Sequence, residues 1–280
     1  MADDRVARTL VTFHAHPDDE SIATGGVMAK ATAAGHRVVL VVATKGEVGE
    51  VDDGVLATGE SLADRRVAET LRAADILGVA RVEFLGYRDS GMAGTADNDV
   101  PGSFWSADLD QAAARLAVLL EEEHADVLTV YDERGGYDHP DHIQVHNVGI
   151  RAAQLVGTAR VYESTVNRDY IRDLMTRRRE DLLAEGIAMP GGTDIPDPEQ
   201  FDVGVPAERI TTTVDVRDFV ERKRTALAQH ASQVDENSFF LAMPMDAFRE
   251  TFGWEWFIRR DAPPGLREAS LFDGLDGARS

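Results

Sequence analysis

Cysteine is absent from the 280 residues. No disulfide framework, thiolate zinc finger, iron–sulfur cluster or cysteine nucleophile is therefore possible. Lysine is almost absent too: only Lys30, Lys45 and Lys223 occur, and arginine supplies the remaining positive charge. That charge is in deficit, with 29 basic against 50 acidic residues and a formal net charge of −21. Such an excess disfavours nucleic acid and anionic membrane as partners, since both are polyanions. No apolar run approaches the roughly 18 residues of a membrane span. Met1-Ala2-Asp3-Asp4 is acidic where a secretory signal would be cationic, so the expected compartment is the cytoplasm. Several familiar motifs are also missing. There is no Gly-x-Gly-x-x-Gly after the first predicted strand, no Walker A sequence, no Gly-x-Ser-x-Gly elbow and no His-Glu-x-x-His helix.

What is present reads as an α/β protein. Hydrophobic residues make up 43% and charged residues 28%, a globular composition. Residues 8–13 read as a strand. The Ala-rich stretch from Ser21 to Ala34 reads as a helix stopped by Gly35. The Val-rich run 37–44 suits a strand buried on both faces of a parallel sheet. Ser61 and Asp64 form an N-terminal capping pair for a helix ending at Leu77 and Gly78. A short strand at 81–85 follows. Leu109, Ala112, Ala113, Leu116, Leu119 and Leu120 then recur at helical spacing. Residues 126–131 give another strand, and Pro140 opens the next helix. A late strand at 210–214 and a helix from 217 to 231 complete the pattern. Alternating strands and helices predict a Rossmann-like fold, a mainly parallel sheet with helices on both faces. The reading is one domain over 1–280, with inserted loops at about 86–106 and 186–206 and an irregular tail from about 261. Loops of that length are usually functional.

The chemistry concentrates at two predicted strand ends. His14 and His16-Pro17-Asp18-Asp19-Glu20 follow the first strand; His139-Pro140-Asp141-His142 and His146 follow the strand at 126–131. Ligands of open parallel sheets bind outside the carboxyl ends of strands. Imidazole and carboxylate together suit zinc and also iron, and two histidines with one carboxylate leave a coordination position for water. One such histidine alone is more often an ordinary loop residue, and Asp-Asp-Glu before a helix is by default a capping feature. Two such clusters at strand ends favour a metal site.

The paired motifs resemble the PIG-L/LmbE-like zinc-dependent N-deacetylase family, over about 9–148 and again near 223–240. Gly86-Tyr87-Arg88-Asp89-Ser90-Gly91-Met92, Gly135-Gly136-Tyr137 and His230-Ala231-Ser232-Gln233 also resemble the mycothiol-pathway deacetylase and mycothiol S-conjugate amidase of that family. The resemblance implies that His16, Asp19 and His142 bind the metal, Zn2+ or alternatively Fe2+. It implies that Asp18 is the general base. It casts His139 as a cationic group that stabilises the oxyanion and protonates the leaving amine, with Asp141 orienting and tuning it. Tyr137 would donate to the oxyanion, after a movement if needed. Arg66 and Asp89 would contact sugar or inositol hydroxyls, and Gln233 would lie on a mobile loop near the metal. A protonated His139 would need a raised pKa, which a nearby Asp141 carboxylate would favour. His146, one helical turn from His142, reads as a helix-packing or surface residue with a supporting role as the alternative, and His14 has none assigned. His36, His124 and His230 read as ordinary surface or packing residues, and Trp105, Trp254 and Trp256 as aromatic core.

Three functions compete. The first is a hydrolase removing an N-acetyl or related acyl group from a small amino-sugar glycoside, its pocket shaped by the two long loops. The mycothiol S-conjugate amidase is the variant within the family, although Ala23 stands where that amidase has a lysine. The second is a non-haem iron oxygenase, which requires Asp18 rather than Asp19 as the ligand. The third is a non-catalytic carbohydrate-binding protein on the same fold. Oligomeric state is not readable from the sequence.

Overall fold

The computed structural model describes residues 6–184 and 197–275. Its strands are β1 (Thr9–His14), β2 (Arg37–Val42), β3 (Arg81–Phe84), β4 (Val127–Tyr131), β5 (Arg160–Thr165), β6 (Thr212–Asp215) and β7 (Trp254–Arg259). Its helices are α1 (Asp19–Ala23), α2 (Gly25–Ala33), α3 (Leu62–Leu77), α4 (Leu109–Glu122), α5 (Pro140–Val156), α6 (Arg168–Ala184), α7 (Val220–Leu227), α8 (Phe239–Ala242) and α9 (Met245–Phe252).

The strands form one seven-stranded sheet in the order β3-β2-β1-β4-β5-β7-β6. The first five are parallel, while β7 runs antiparallel to both β5 and β6. The predicted mainly parallel sheet is therefore present. Chain order reverses between β1 and β4, which lie side by side. Their neighbouring carboxyl ends form the crevice where such sheets bind ligands.

Side-chain alternation builds the two faces of the sheet. Val11, Phe13, Val39, Val41, Leu128 and Val130 pack with Leu116 and Leu120 of α4 and Val145 and Val148 of α5. Leu10, Val38 and Val127 pack the other way, with Met28 of α2, Leu77 of α3 and Ala226 of α7. Both faces are apolar, as the Val-rich run of β2 requires. Gly149 lets α5 approach the sheet: a Cβ there would lie 2.2 Å from Cγ1 of Val130.

The capping pattern is realised. Ser61 accepts from the Asp64 amide at the start of α3, and Gly78 closes that helix in the left-handed conformation. The helix predicted from Ser21 to Ala34 is instead broken into α1 and α2 at Thr24, whose backbone sits at φ −135°. The Thr24 hydroxyl is bonded to His14 Nε2 at 2.9 Å. The amides opening α2, Gly26 and Val27, donate to the two oxygens of Glu255 at 2.8 Å each. The helix predicted for 217–231 is a 3-10 turn followed by α7, which ends at Leu227. That early end frees the next segment to cross toward α1 and α3.

The 86–106 loop is ordered. Arg88 and Ser103 form a backbone bridge, and a 3-10 turn spans Ala96–Asp99. Of the predicted loop at 186–206, residues 186–196 lie outside the described residues. Among the described residues after 261 there is no helix or strand, yet Leu271 is buried in the core and Glu268 bonds Thr212 and Tyr162. Trp256 is buried on β7, whereas Trp105 is exposed rather than core.

Lys223 and Glu255 form a buried ion pair at 2.7 Å. Substituting Glu255 by leucine would strand a buried ammonium and two helix-start amides. We expect Glu255→Leu to cost about 3–5 kcal/mol, the usual penalty for breaking a buried pair. A denaturant titration against wild type checks it, and a loss below about 1 kcal/mol would contradict the assignment.

Candidate metal centre

The two motifs meet above β1 and β4. His16 lies two residues beyond β1 and Asp19 opens α1. His139 is the N-cap of α5, Pro140 its first residue, and His142 lies in its first turn. Proline suits a first helical position because its missing N–H would have no partner there. The rings of His16, His139 and His142 have centroids 4.7–5.4 Å apart.

Asp19 Oδ2 lies 3.4 Å from His16 Nδ1 and 3.3 Å from His142 Nε2. The opposite ring nitrogens are committed elsewhere. His16 Nε2 faces the carboxylates of Asp141 at 3.2 Å and Asp89 at 3.5 Å. His142 Nδ1 lies 3.0 Å from the Gly135 carbonyl oxygen. Carboxylates and carbonyls only accept, so those nitrogens carry the ring protons. The nitrogens facing Asp19 are the ones left to carry a second proton in the cationic ring or, once that proton leaves, to bind a metal cation through their lone pairs. Zinc–ligand bonds of about 2.0–2.1 Å would set tetrahedral ligand atoms about 3.3–3.4 Å apart, the spacing Asp19 Oδ2 keeps from each imidazole nitrogen. The donor set therefore fits a divalent ion, and the carboxylate and carbonyl behind the rings are the usual orienting partners of ligating histidines.

The electrostatics agree. Burial would lower the His16 pKa, but hydrogen bonds with Asp141, Asp19 and Asp89 hold it well above the ordinary value. Burial would raise that of Asp19, but His142 and His16 hold it well below. The pocket thus favours positive charge. Gly135 is required behind it: its φ is +60°, and a Cβ would lie 2.4 Å from the His142 Cβ.

Among the described residues, the side chains whose donor atoms all lie within 4.8 Å of one another form two buried groups, His16 with His139 and His142, and His16 with Asp89 and Asp141; the second adds a pair of carboxylates behind the His16 ring. Its carboxylates are largely satisfied. Asp141 accepts from the Ser90 amide and hydroxyl, and Asp89 from the Gly91 and Val48 amides. These groups orient His16.

Asp18 stands beside the ligands and makes no contact with either imidazole of the pair. Its Oδ2 lies 3.3 Å from an Arg66 nitrogen. Burial pushes its pKa up to about 6, against the opposing pull of Arg66. Tyr137 is 48% exposed with its hydroxyl 3.5 Å from His142 Nε2, so it reaches the site as it stands.

The expectations for Asp141, His139 and His230 are corrected, and Arg66 and Gln233 are found among the following partners. Asp141 orients His139 through its backbone amide, which donates to His139 Nδ1 at 3.1 Å, and its carboxylate belongs to His16 and Ser90. The pKa of His139 is lowered to about 4, not raised, by burial and by the adjacent His16 and His142. Arg66 reaches the site but is buried, donating to Pro17 O at 2.6 Å and Gly46 O at 2.8 Å. Gln233 donates to Glu50 O at 3.0 Å and to Ser232 O at 2.8 Å. His230 is neither a surface nor a simple packing residue: it is fully buried, 2.7 Å from Glu20 Oε1.

His14 and Tyr131 complete the surroundings. The Tyr131 ring stacks on His142 at 4.4 Å, and its hydroxyl lies 2.9 Å from His14 Nδ1. Burial drives the His14 pKa down to about 4. His146 donates to the Tyr131 carbonyl at 3.0 Å and takes no place among the possible ligands.

The family model described as PIG-L, GlcNAc-PI de-N-acetylase, matches residues 11–153. The 1D-myo-inositol 2-acetamido-2-deoxy-alpha-D-glucopyranoside deacetylase of Acidothermus cellulolyticus is 40% identical, with 97% of this chain and 96% of that protein covered. The chain belongs to the PIG-L family. Its fold is that of the N,N'-diacetylchitobiose deacetylase from Pyrococcus horikoshii, at a TM-score of 0.58 and 23% identity, covering 92% of this chain and 85% of that one. The 4-carboxy-2-hydroxymuconate hydratase of Pseudomonas putida KT2440 shares the fold at a TM-score of 0.55 and 18% identity, covering 91% of this chain and 97% of that one. One member of this fold group is thus named a hydratase and another a deacetylase, so the chemistry of this PIG-L chain has to be argued from its site.

Among the described residues no helix is long and apolar enough to cross a membrane.

Proposed function

We propose that this PIG-L protein is a zinc-dependent N-deacetylase whose substrate is a 2-acetamido-2-deoxy-glucopyranoside of inositol. The observation that carries the reading is that Asp19 Oδ2 lies at ligand spacing from both His16 Nδ1 and His142 Nε2, while Asp18 pairs with Arg66 instead and is free to act as a base. An iron oxygenase of the kind considered above needs Asp18 as the ligand, whereas Asp19 is the carboxylate that faces both imidazoles. Relatives named for the inositol glycoside, aligned over nearly the whole chain, support the substrate class.

His16, Asp19 and His142 would hold the ion, which when bound polarises the amide carbonyl and acidifies a water. Asp18 accepts the proton of the attacking water while Arg66 keeps its carboxylate in place. As the C–N bond breaks, the same proton passes from Asp18 to the departing nitrogen, leaving a free amine and acetic acid, which ionises to acetate by losing its own proton to solvent. His139 accepts a backbone N–H at Nδ1, so its neutral ring carries hydrogen at Nε2. That N–H and the Tyr137 hydroxyl are the donors for the developing oxyanion. Donation by a neutral imidazole fits the depressed pKa of His139. Asp89 is the proposed contact for substrate hydroxyls, while the buried Arg66 holds Asp18 and the Pro17 and Gly46 carbonyls in place.

Zinc-loaded protein should release free amine from N-acetylglucosaminyl-inositol with a higher kcat/KM than from simple N-acetylglucosamine glycosides or a mycothiol conjugate. Amine assays on the three substrates check this. Preferential cleavage of the conjugate would replace the reading with an amidase, and no release from any of them would refute it.

A further inference from the structure

Asp18 has an unusual backbone. It sits at φ +100° and ψ −35°, a region that L side chains rarely adopt. Such a conformation persists only where the surroundings over-determine it. Here the restraints are visible. The Asp18 amide donates to Glu20 Oε2 at 2.9 Å, and its carbonyl accepts from the Ser21 and Ile22 amides at 3.0 and 3.2 Å. The first of these depends on a carboxylate with no access to solvent.

Glu20 is held in turn from far along the chain. Its Oε1 accepts from the Ser21 hydroxyl and faces His230 Nε2, both at 2.7 Å. His230 is equally inaccessible, and its Nδ1 has no hydrogen-bond partner, so Glu20 is the group its ring is built to meet. The segment carrying His230 is anchored independently of the imidazole. The Ser232 amide and hydroxyl bond Glu69 of α3 at 3.1 and 2.6 Å, and Gln233 bonds Glu50 O.

We infer that His230 is a positioning residue: through Glu20 it holds the Asp18 backbone at positive φ, and so sets where the Asp18 carboxylate stands beside the metal ligands. The inference rests on the proposed reading of Asp18 as the base. It joins the segment after α7 to the chemistry across 210 positions of sequence, through hydrogen bonds and without contact with substrate. Removing the imidazole leaves Glu20 buried with no partner across the interface. The carboxylate then turns away, the Asp18 amide loses its acceptor, and the backbone relaxes to negative φ.

The test compares His230→Leu with His230→Gln, whose side-chain amide can still donate to Glu20. Each zinc-loaded variant is assayed for kcat and KM on the amino-sugar glycoside, for bound zinc by elemental analysis, and for the Asp18 φ in a crystal structure. His230→Leu should lower kcat about 10–100-fold, the usual range for a residue acting through a site's supporting partners. KM and zinc stoichiometry should hold, Asp18 should move to negative φ, and His230→Gln should recover most of the rate. An unchanged kcat, a rate loss matched by zinc loss, or Asp18 still at positive φ would overturn the inference. Where His230→Leu does not fold, Glu20→Ala, which removes the acceptor of the Asp18 amide, is the replacement variant, with the same readouts and the same expectations for kcat, zinc and φ. If wild type releases no amine, the proposed activity fails, and the Asp18 φ of wild type against variant still decides whether His230 positions it.

Discussion

Asp18→Asn should lower kcat about 10²–10⁴-fold, the range for loss of a general base, while the protein keeps its zinc. The two halves of this expectation come from separate features of the site. The Asp18 carboxylate is turned to Arg66, and Asp19 is the carboxylate that faces both imidazoles. Asparagine matches aspartate in size and can still accept from Arg66, so the pocket should keep its shape and lose only the group that takes the proton. Amine release under saturating substrate, paired with elemental analysis, reads both quantities. Zinc lost in proportion to activity would make Asp18 a ligand, and a rate within a factor of a few of wild type would remove it from the chemistry.

The sequence made the local features legible. A Val-rich run announces β2, because a strand covered on both faces has no polar side to show. Ser61, Asp64 and Gly78 mark the ends of α3 through capping chemistry confined to neighbouring residues. Two His/Asp motifs at strand ends put the proposed ligands near the carboxyl edge of the sheet. The strand order was not legible, because the adjacency of β1 and β4 depends on where long crossovers pack. Their adjacency is what brings His16 to His142. The electrostatics of His139 stayed hidden for the same reason, since one of the imidazoles that depress its pKa arrives from the end of β1. The break at Thr24 depends on its bond to His14, and the role of His230 on a glutamate 210 positions away. Neither leaves a trace in local periodicity. β5 (Arg-Val-Tyr-Glu-Ser-Thr) mixes charge with apolar residues, and α6 is dense in arginine and acid, so hydrophobic patterning is weak in both.

Zinc binding should stabilise the fold, and His142→Ala should abolish that stabilisation together with activity. A ligand that binds only the folded chain contributes RT ln(1 + [L]/Kd), about 2.7 kcal/mol at a free concentration about 100 times Kd. The unfolded chain offers no comparable site, because His16 and Asp19 lie more than a hundred positions from His142 and converge only when β1 and β4 pair. Removing the His142 ring deletes one ligand and leaves Asp19 facing His16 alone, which should weaken binding enough to erase the rise in Tm with added zinc. Asp18→Asn should show the full rise, although it too is inactive. Thermal melts of wild type and both variants, with chelator and then with increasing zinc, separate the ligand from the base without reference to any substrate. A zinc-dependent rise surviving in His142→Ala would move the ion to the other group of donors around His16, namely Asp89 and Asp141. The assignment of Asp19 and His142 would then fall, and with it the reason for placing Asp18 next to the reacting carbonyl.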